Sequence, residues 1–446
     1  MTQDTITLTD LVADQDLNAI DRWLEDHGAL DVADELARLA PSERAVVFRL
    51  LAKDRALAVF EALDTIHQQQ LLEALADESV NELFLGLDPD DRARLTDEMP
   101  AKVANRLLAS LPDDARANTN ILLGYPQESV GRIMSPRYVS LRASATAADA
   151  VAKVRRAGLR SREVLVLPVT DDQRRLVGVV DLPDVVTAPP GTRVEELTRA
   201  DTYSAQIDDD QEVGARLMQE ADLVALPVLD TEGRLVGVLT VDDAMEVIEL
   251  EETEDFARAG GVEPLSVPYM DATALQLARK RATWLLILIL AAVATVNVLG
   301  AFEDTLEEVL ALALFIPLLI DTGGNSGSQA ATVVIRAMAV GEVRFSDLPR
   351  VLKRELVVGL LLGLMLGVVA IPIVWLFFDV QFALVIGSTL FVICTWASFA
   401  GGLLPLVAKR IGIDPAVVSA PLITTLVDAT GLIIYFLIAQ AILGIG

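Results

Sequence analysis

Cysteine and histidine are nearly absent from this 446-residue chain, which holds one cysteine, Cys394, and two histidines, His27 and His67. A single cysteine excludes a disulfide framework, and a thiolate or imidazole metal centre needs more ligands than these three residues supply. The histidines read as ordinary helix residues of the front half. There is no nucleophile–base pair in motif spacing, no phosphate-binding glycine loop and no metal-hydrolase motif, so nothing points to an enzyme. Bases are scarce as well: 36 Lys and Arg stand against 64 Asp and Glu, a net charge of −28. That sign argues against nucleic acid as a partner and in favour of cations. The segment from Met1 to Asp16 is acidic and lacks an apolar core, so it does not read as a signal peptide, and the soluble half is expected in the cytoplasm.

The deficit of positive charge is unevenly spread. Up to Met270 there are 52 Asp and Glu against 26 Lys and Arg, whereas from Asp271 onward there are 12 against 10. The front is therefore a soluble acidic assembly. The back contains five apolar segments, roughly 284–299 (extending back toward Ala278), 309–338, 356–378, 382–407 and 416–445, most of them long enough to span a bilayer as helix. Bases flank alternate ends of these segments: Arg279, Lys280 and Arg281, then Arg344, Arg350, Lys353 and Arg354, then Lys409 and Arg410. The intervening loops, at Glu303 to Glu308 and around Asp379, carry none. The positive-inside rule then predicts five spans with a cytoplasmic N-terminus and an external C-terminus.

Two of the spans are not lipid-like throughout. One contains Asp321-Thr322-Gly323-Gly324-Asn325-Ser326-Gly327-Ser328-Gln329, whose polar side chains need partners or water. The alternatives are a helix-packing seam and a pore wall with Asn325 lining it. In the last span Asp428 is the only acidic or basic residue after Asp414. A carboxylate at membrane depth faces a water-filled path or a partner. Thr424, Thr425 and Asp428 share a helix face, and oxygen ligands of this kind suit a hard cation. The competing account is a structural one, with Asp428 paired to Arg336 or capped by threonine. One carboxylate per chain fits a hydrated divalent cation if two chains combine about a two-fold axis.

The soluble half contains two repeats. Leu167-Pro-Val-Thr-Asp171, Arg175-Leu-Val-Gly-Val179 and Asp184 recur at one constant offset as Leu226-Pro-Val-Leu-Asp230, Arg234-Leu-Val-Gly-Val238 and Asp243. Each unit reads helix, strand, turn, strand, helix, and the two together resemble a pair of CBS modules. Many such pairs bind adenine nucleotides near the acid after the second strand, which makes Asp184 a candidate nucleotide contact and ATP a candidate ligand. Pro183 and the shortage of aromatic residues to stack a base weigh against it. Ahead of this pair, Leu39, Leu63, Leu87 and Leu111 recur at equal intervals. Each is followed by helix-capping residues, which predicts a superhelical stack of short helices. Between Asp201 and Asp255 there are 17 acids and two bases, Arg216 and Arg234. Like charges at helical spacing destabilise a helix unless cations screen them. The stretch reads either as a solvated face or as a divalent-ion sensor, and its approach to the first span favours the sensor.

Phe315-Ile-Pro-Leu-Leu-Ile-Asp-Thr-Gly-Gly-Asn-Ser-Gly-Ser-Gln329, Pro421-Leu-Ile-Thr-Thr-Leu-Val-Asp-Ala-Thr-Gly431 and the order of the regions closely resemble the MgtE family of bacterial magnesium channels. The resemblance implies a multidomain fold: an all-α superhelical N domain (1–124), an α/β tandem CBS pair (125–187 and 188–248), a connecting plug helix (249–277) and a five-helix α transmembrane domain (278–446). It further implies a homodimer in the bacterial inner membrane, with the pore on the two-fold axis. Asp428 is implied as the pore carboxylate for hydrated Mg²⁺. Asp210, Glu212, Asp222, Asp243, Glu246, Glu251, Glu254 and Asp255 are implied as Mg²⁺-sensing acids. Asp414 is implied as a cytoplasmic-face acid paired with the plug region through Mg²⁺, and Asp90 as an N-domain acid, with Arg94 standing where some relatives have a second one. Mg²⁺ bound between these surfaces would close the channel. Two other readings remain: a CBS-regulated transporter of Co²⁺ or Mn²⁺, and a membrane-anchored nucleotide sensor that conducts nothing.

Overall fold

In the computed structural model, which describes residues 7–14, 16–75, 77–159, 162–265 and 267–445, the regularly spaced leucines are all buried in one core. Each is followed two residues later by a helix: Pro41–Phe48, Thr65–Ala74, Pro89–Glu98 (α1) and Asp113–Leu123. Two of these have proline in the first turn, where it has no N–H to lose. A third is capped by Asp64, which accepts the His67 backbone N–H at 3.0 Å. A second helix fills the space before the next leucine: Lys53–Glu61, Asp77–Gly86 and Ala101–Ser110. One repeat is thus a helix pair that cannot bury its apolar face alone and stacks on its neighbours.

The longer repeat folds into two matching three-stranded sheets. The first is β1 (Leu141–Arg142), β2 (Val166–Thr170) and β3 (Leu176–Asp181), and the second is β4 (Ala205–Gln206), β5 (Ala225–Leu229) and β6 (Leu235–Thr240). In each the short first strand runs parallel to the central one, and the third is antiparallel to it. Equivalent residues do equivalent work. Asp171 accepts the backbone N–H of Gln173 and Arg175, and Asp230 accepts those of Glu232 and Arg234, at 2.8–2.9 Å. The turn needs a left-handed residue. Gly233 supplies it in the second module, and Arg174 supplies it at positive φ in the first. Arg174 is held there by donating to Tyr138 Oη and the Leu235 carbonyl, each at 2.9 Å. The glycines of the two Leu-Val-Gly-Val motifs also match: a Cβ on Gly178 would sit 2.4 Å from the Arg199 carbonyl oxygen, and one on Gly237 would sit 2.3 Å from Met134 Sδ. Val166, Val179, Ala225 and Val238 join the modules in a shared apolar cluster.

The chain divides into two compact units, Met1–Glu249 and Leu250–Gly446. The division falls inside one unbroken helix, α2 (Val241–Ala259). The connecting helix expected over 249–277 is therefore the far end of the last CBS helix, and it stops earlier than expected. Gly260 and Gly261, the latter at positive φ, end it. Pro264 and Pro268 keep the following segment irregular up to Thr273, which caps the first span.

Five helices are long and apolar enough to cross a membrane: α3 (Ala274–Ala301), α4 (Ile316–Ala339, preceded by a 3₁₀ turn from Leu310), α5 (Leu348–Phe377), α6 (Val380–Arg410) and α7 (Ala420–Leu443). They correspond one for one to the five apolar segments. Packing among them relies on small residues, as expected where lipid removes the hydrophobic drive between helices. Gly359, Gly363 and Gly367 of α5 lie against α6, where a Cβ on Gly363 would come within 2.6 Å of Phe391 Cα. Since the obstacle is backbone, Gly363→Val must push the helices apart. A loss of about 1–3 kcal/mol is expected for such overpacking, visible as a lower melting temperature of the detergent-solubilised protein. Val368→Ala, on the exposed side of the same helix, should leave that temperature unchanged.

Candidate ion path and acidic control site

Helix α4 carries its glycines on the buried side and its polar residues on the open side. Gly323, Gly324 and Gly327 are buried against α6 and α7, whereas Asp321, Asn325, Gln329 and Thr332 are exposed. Gly324 lies beside Asp428: a Cβ there would lie 2.6 Å from Thr424 Cγ2 and 3.5 Å from Asp428 Oδ1. Asp428 Oδ1 is buried and has no hydrogen-bond partner among the described residues. The expected pore hydroxyls are otherwise engaged. Thr424 Oγ1 meets Ser328 Oγ at 3.0 Å and the Ala420 carbonyl at 3.0 Å, and Thr425 Oγ1 donates to the Pro421 carbonyl at 2.9 Å. Arg336 does not neutralise Asp428. It pairs with Glu252 at 3.1 Å, which removes the structural ion pair as an account of the intramembrane acid. A carboxylate oxygen buried at membrane depth without a donor is left in need of a proton or a counter-charge.

The acidic residues of the soluble unit separate into pairs with and without a base. Asp90, in the first turn of α1, and Asp243, in the first turn of α2, share a hydrogen bond between their carboxyl groups. Thr240 Oγ1 donates to Asp243 Oδ2 at 2.5 Å. Removal from water, followed by the Asp242 charge, pushes Asp243 up to about 7. Removal from water, followed by Asp243 itself, holds Asp90 well above the usual carboxylate range. Two carboxylates in this position retain a proton or take a cation. Their neighbours Asp91 and Glu246 are bridged by Arg94, at 2.9 Å to Asp91 Oδ1 and in direct contact with Glu246. Even so, burial outweighs the arginine and raises Asp91 to about 6.

Within the membrane unit Arg258 plays the same part. Its guanidinium lies between Glu254, four residues earlier on α2, and Asp414 Oδ2 at 2.5 Å, with Asp255 adding negative charge nearby. The other oxygen of Asp414 accepts the Ala416 backbone N–H at 2.9 Å, so this acid is fixed from both sides.

Over 442 residues, 98% of each chain, the protein is 37% identical to the magnesium transporter MgtE of Thermus thermophilus. The chain belongs to the MgtE family. The MgtE divalent cation transporter profile matches residues 316–438, the MgtE intracellular N domain 28–128, and CBS domains 130–191 and 182–250. The Bacillus subtilis magnesium transporter MgtE is 32% identical over 80% of this chain and 78% of its own. Among solved structures, the cytosolic domain of the Mg²⁺ channel MgtE in complex with ATP is 32% identical, with a TM-score of 0.51, over 54% of this chain and 99% of that one. The N domain, the CBS pair and the five apolar helices are the layout of this multi-pass family of transporters.

The remaining acids expected from the MgtE resemblance are not all gathered. Asp210 caps helix Gln211–Glu220, accepting the Glu212 N–H at 2.8 Å, and Glu212 pairs with Arg216 at 2.7 Å. Asp222 is exposed in the left-handed turn after that helix. Glu251 and Asp255 are partly buried on α2, and both interact with neighbouring groups. Asp184 is exposed, unlike its repeat-mate Asp243, which meets Asp90 of α1. Among the described residues no three acids, histidines or cysteines of one chain converge as a metal centre. Sequence reasoning misses Arg258, although it is the only base between Arg234 and Arg279 and stands at i+4 from Glu254.

These contacts set two expectations. Acids whose folded-state pKa is raised hold their protons in the folded state over the interval between about 4 and about 7, so stability falls as pH climbs through it. In divalent-free buffer the melting temperature of the wild type should therefore drop between about pH 5 and about pH 7.5, and Asp243→Asn should flatten the drop. Removing the base at the other junction, by Arg258→Gln, leaves Glu254 and Asp414 facing each other without a counter-charge. The melting temperature in EDTA should fall and the gain on adding millimolar Mg²⁺ should widen; an unchanged gap would show that Arg258 does not screen these acids.

Proposed function

We propose that the protein is a homodimeric Mg²⁺ channel of the bacterial inner membrane that is closed by cytoplasmic Mg²⁺. The observation that carries the proposal is the buried, unpartnered Oδ1 of Asp428 beside Gly324, with Arg336 engaged elsewhere. A single chain offers too few oxygens to dehydrate Mg²⁺, which gives up its waters reluctantly and binds through few carboxylates. Two copies of Asp428 across a two-fold axis, with the open polar faces of α4 turned toward the same axis, would hold a hydrated ion without stripping it. Softer metals such as Co²⁺ fit less well, since the membrane half has no histidine and its one thiol, Cys394, is buried. Mn²⁺ accepts oxygen ligands and is the competitor to include in uptake assays. The bases at alternate ends of the spans support a cytoplasmic N-terminus and an external C-terminus.

Closure rests on the acidic pairs. Asp90 and Asp243 are suited to a divalent cation because two carboxylates brought together out of water need a positive charge between them. A divalent ion bound there would supply the counter-charge that keeps the N-domain helix α1 on the second CBS module. Without it the ionised pair repels and the contact loosens. An ion shifts the equilibrium only by its preference for one state, and loose carboxylate sites of this sort bind at roughly 10⁻⁴–10⁻³ M. Glu246, Glu251, Glu254 and Asp255 continue the acidic run along α2, Asp414 faces its Arg258, and Asp210, Glu212 and Asp222 add negative charge on the second module. A nucleotide such as ATP is a second candidate ligand for the CBS pair, favoured by the relative whose cytosolic domain was solved with ATP and by the open position of Asp184.

Reconstituted protein should take up Mg²⁺, and Asp428→Ala should reduce uptake to background; flux that survives this change rules out the pore assignment. Internal Mg²⁺ should suppress wild-type flux, and joint neutralisation of Asp243, Glu246 and Glu251 should leave the channel active at high internal Mg²⁺. Normal closure in that variant would reduce those acids to a solvated face.

A further inference from the structure

Asp428 is not the only carboxylate at this depth. Asp321 lies in the second turn of α4, three residues before Gly324 and four before Asn325. It stands roughly 4.5 Å along the helix axis from Gly324, where an added Cβ would lie 3.5 Å from Asp428 Oδ1. Both carboxylates therefore border the same stretch of α4, Asp428 from the neighbouring helix and Asp321 from within it. Asp321 is exposed on the open face of α4 that also carries Asn325, Gln329 and Thr332. Among the described residues nothing positive meets either acid: Arg336, the single base of α4, is engaged with Glu252. Asp321 itself makes no hydrogen bond or ion pair among them. Two adjacent carboxylates at membrane depth, one with a buried and unpartnered oxygen, repel each other unless a cation comes between them or each in turn is neutralised.

We propose that Asp321 forms a second cation position in the same path, one helical turn to the external side of Asp428, where a hydrated divalent cation is held before it passes inward. The inference rests on the pore reading above, because the external side is defined by the orientation given there. Asp321 is the first acid of the polar stripe met from the end of α4 at Ile316, and a carboxylate there accepts hydrogen bonds from the ion's own waters without dehydrating it. Stepwise transfer between two sites of similar chemistry allows binding that is favourable enough to enter and weak enough to leave.

The test uses the full chain reconstituted in vesicles, with external Mg²⁺ titrated and hexaamminecobalt(III), a cation of hydrated-Mg²⁺ size that cannot shed its ligands, applied outside as a blocker. Asp321→Asn should raise half-saturating Mg²⁺ by on the order of threefold to tenfold, as for loss of one charge-assisted contact, and weaken the block in parallel. Asp321→Glu should retain both, and suppression by internal Mg²⁺ should be unchanged. Wild-type half-saturation and wild-type block in Asp321→Asn would overturn the proposal. If the asparagine variant fails to assemble, Asp321→Cys provides the same comparison before and after a sulfonate-bearing thiol reagent restores the negative charge, since Cys394 is buried; recovery of affinity supports the outer position and its failure rejects it. Asp428→Asn separates the two readings. If that variant conducts normally the pore assignment fails, whereas a silent Asp428→Asn beside a normal Asp321→Asn removes only the outer position.

Discussion

Carboxylates brought close together out of bulk water have to be neutralised, and each part of this structure answers that demand in its own way. At the N-domain contact burial and mutual repulsion raise Asp90 and Asp243, which favours protonation of the pair. One turn along, Arg94 stands between Asp91 and Glu246, and beyond the end of the CBS pair Arg258 stands between Glu254 and Asp414. At membrane depth Asp428 and Asp321 have neither proton donor nor base beside them among the described residues. The penalty for leaving a charge uncompensated rises as water is removed, and the pair at membrane depth is the least compensated of them. The acids of the soluble domains and those of the spans therefore differ less in chemistry than in what already sits between them.

The membrane helices hold such a pair in a rigid, narrow frame. Glycines on α4 and α5 let neighbouring helices approach to backbone contact, and serine and threonine hydroxyls close on one another or on their own helix carbonyls. The polar groups of the Gly-rich motif and its surroundings thus divide into two sets. Ser326, Ser328 and Thr424 are engaged in packing, while Asp321, Asn325 and Gln329 point away from it. A helix with one face dedicated to packing and the other left polar is incomplete as a lipid-facing element.

Much of this is legible in the sequence because it is periodic. The evenly spaced leucines and the module repeat fix local geometry through burial and turn chemistry, and they reappear as helix pairs and as matched Asp171 and Asp230 turns. The five spans are equally plain from apolar length. Pairings across long separations are not legible. Depth alone makes Arg336 and Asp428 look like partners, yet Arg336 reaches Glu252, 84 residues earlier. The repeat makes Asp184 and Asp243 equivalent, but only Asp243 is covered by α1, since that depends on where a helix from another domain lies. The helical run of acids through Asp255 lies within α2, but the connecting helix that the resemblance implies up to residue 277 stops at Ala259, where a glycine pair follows.

Arg258 has a consequence for concentration dependence. A guanidinium tethered to the helix that carries Glu254 is present beside those carboxylates at an effective concentration fixed by covalent geometry, in the millimolar range typical of short tethers. Any cation drawn to these acids from solution would have to compete with a resident charge whose abundance does not vary. Asp90 and Asp243, raised by burial, respond instead to protons, whose abundance follows pH. The two junctions thus hold different reference levels, one written into the chain and the other set by the surrounding medium.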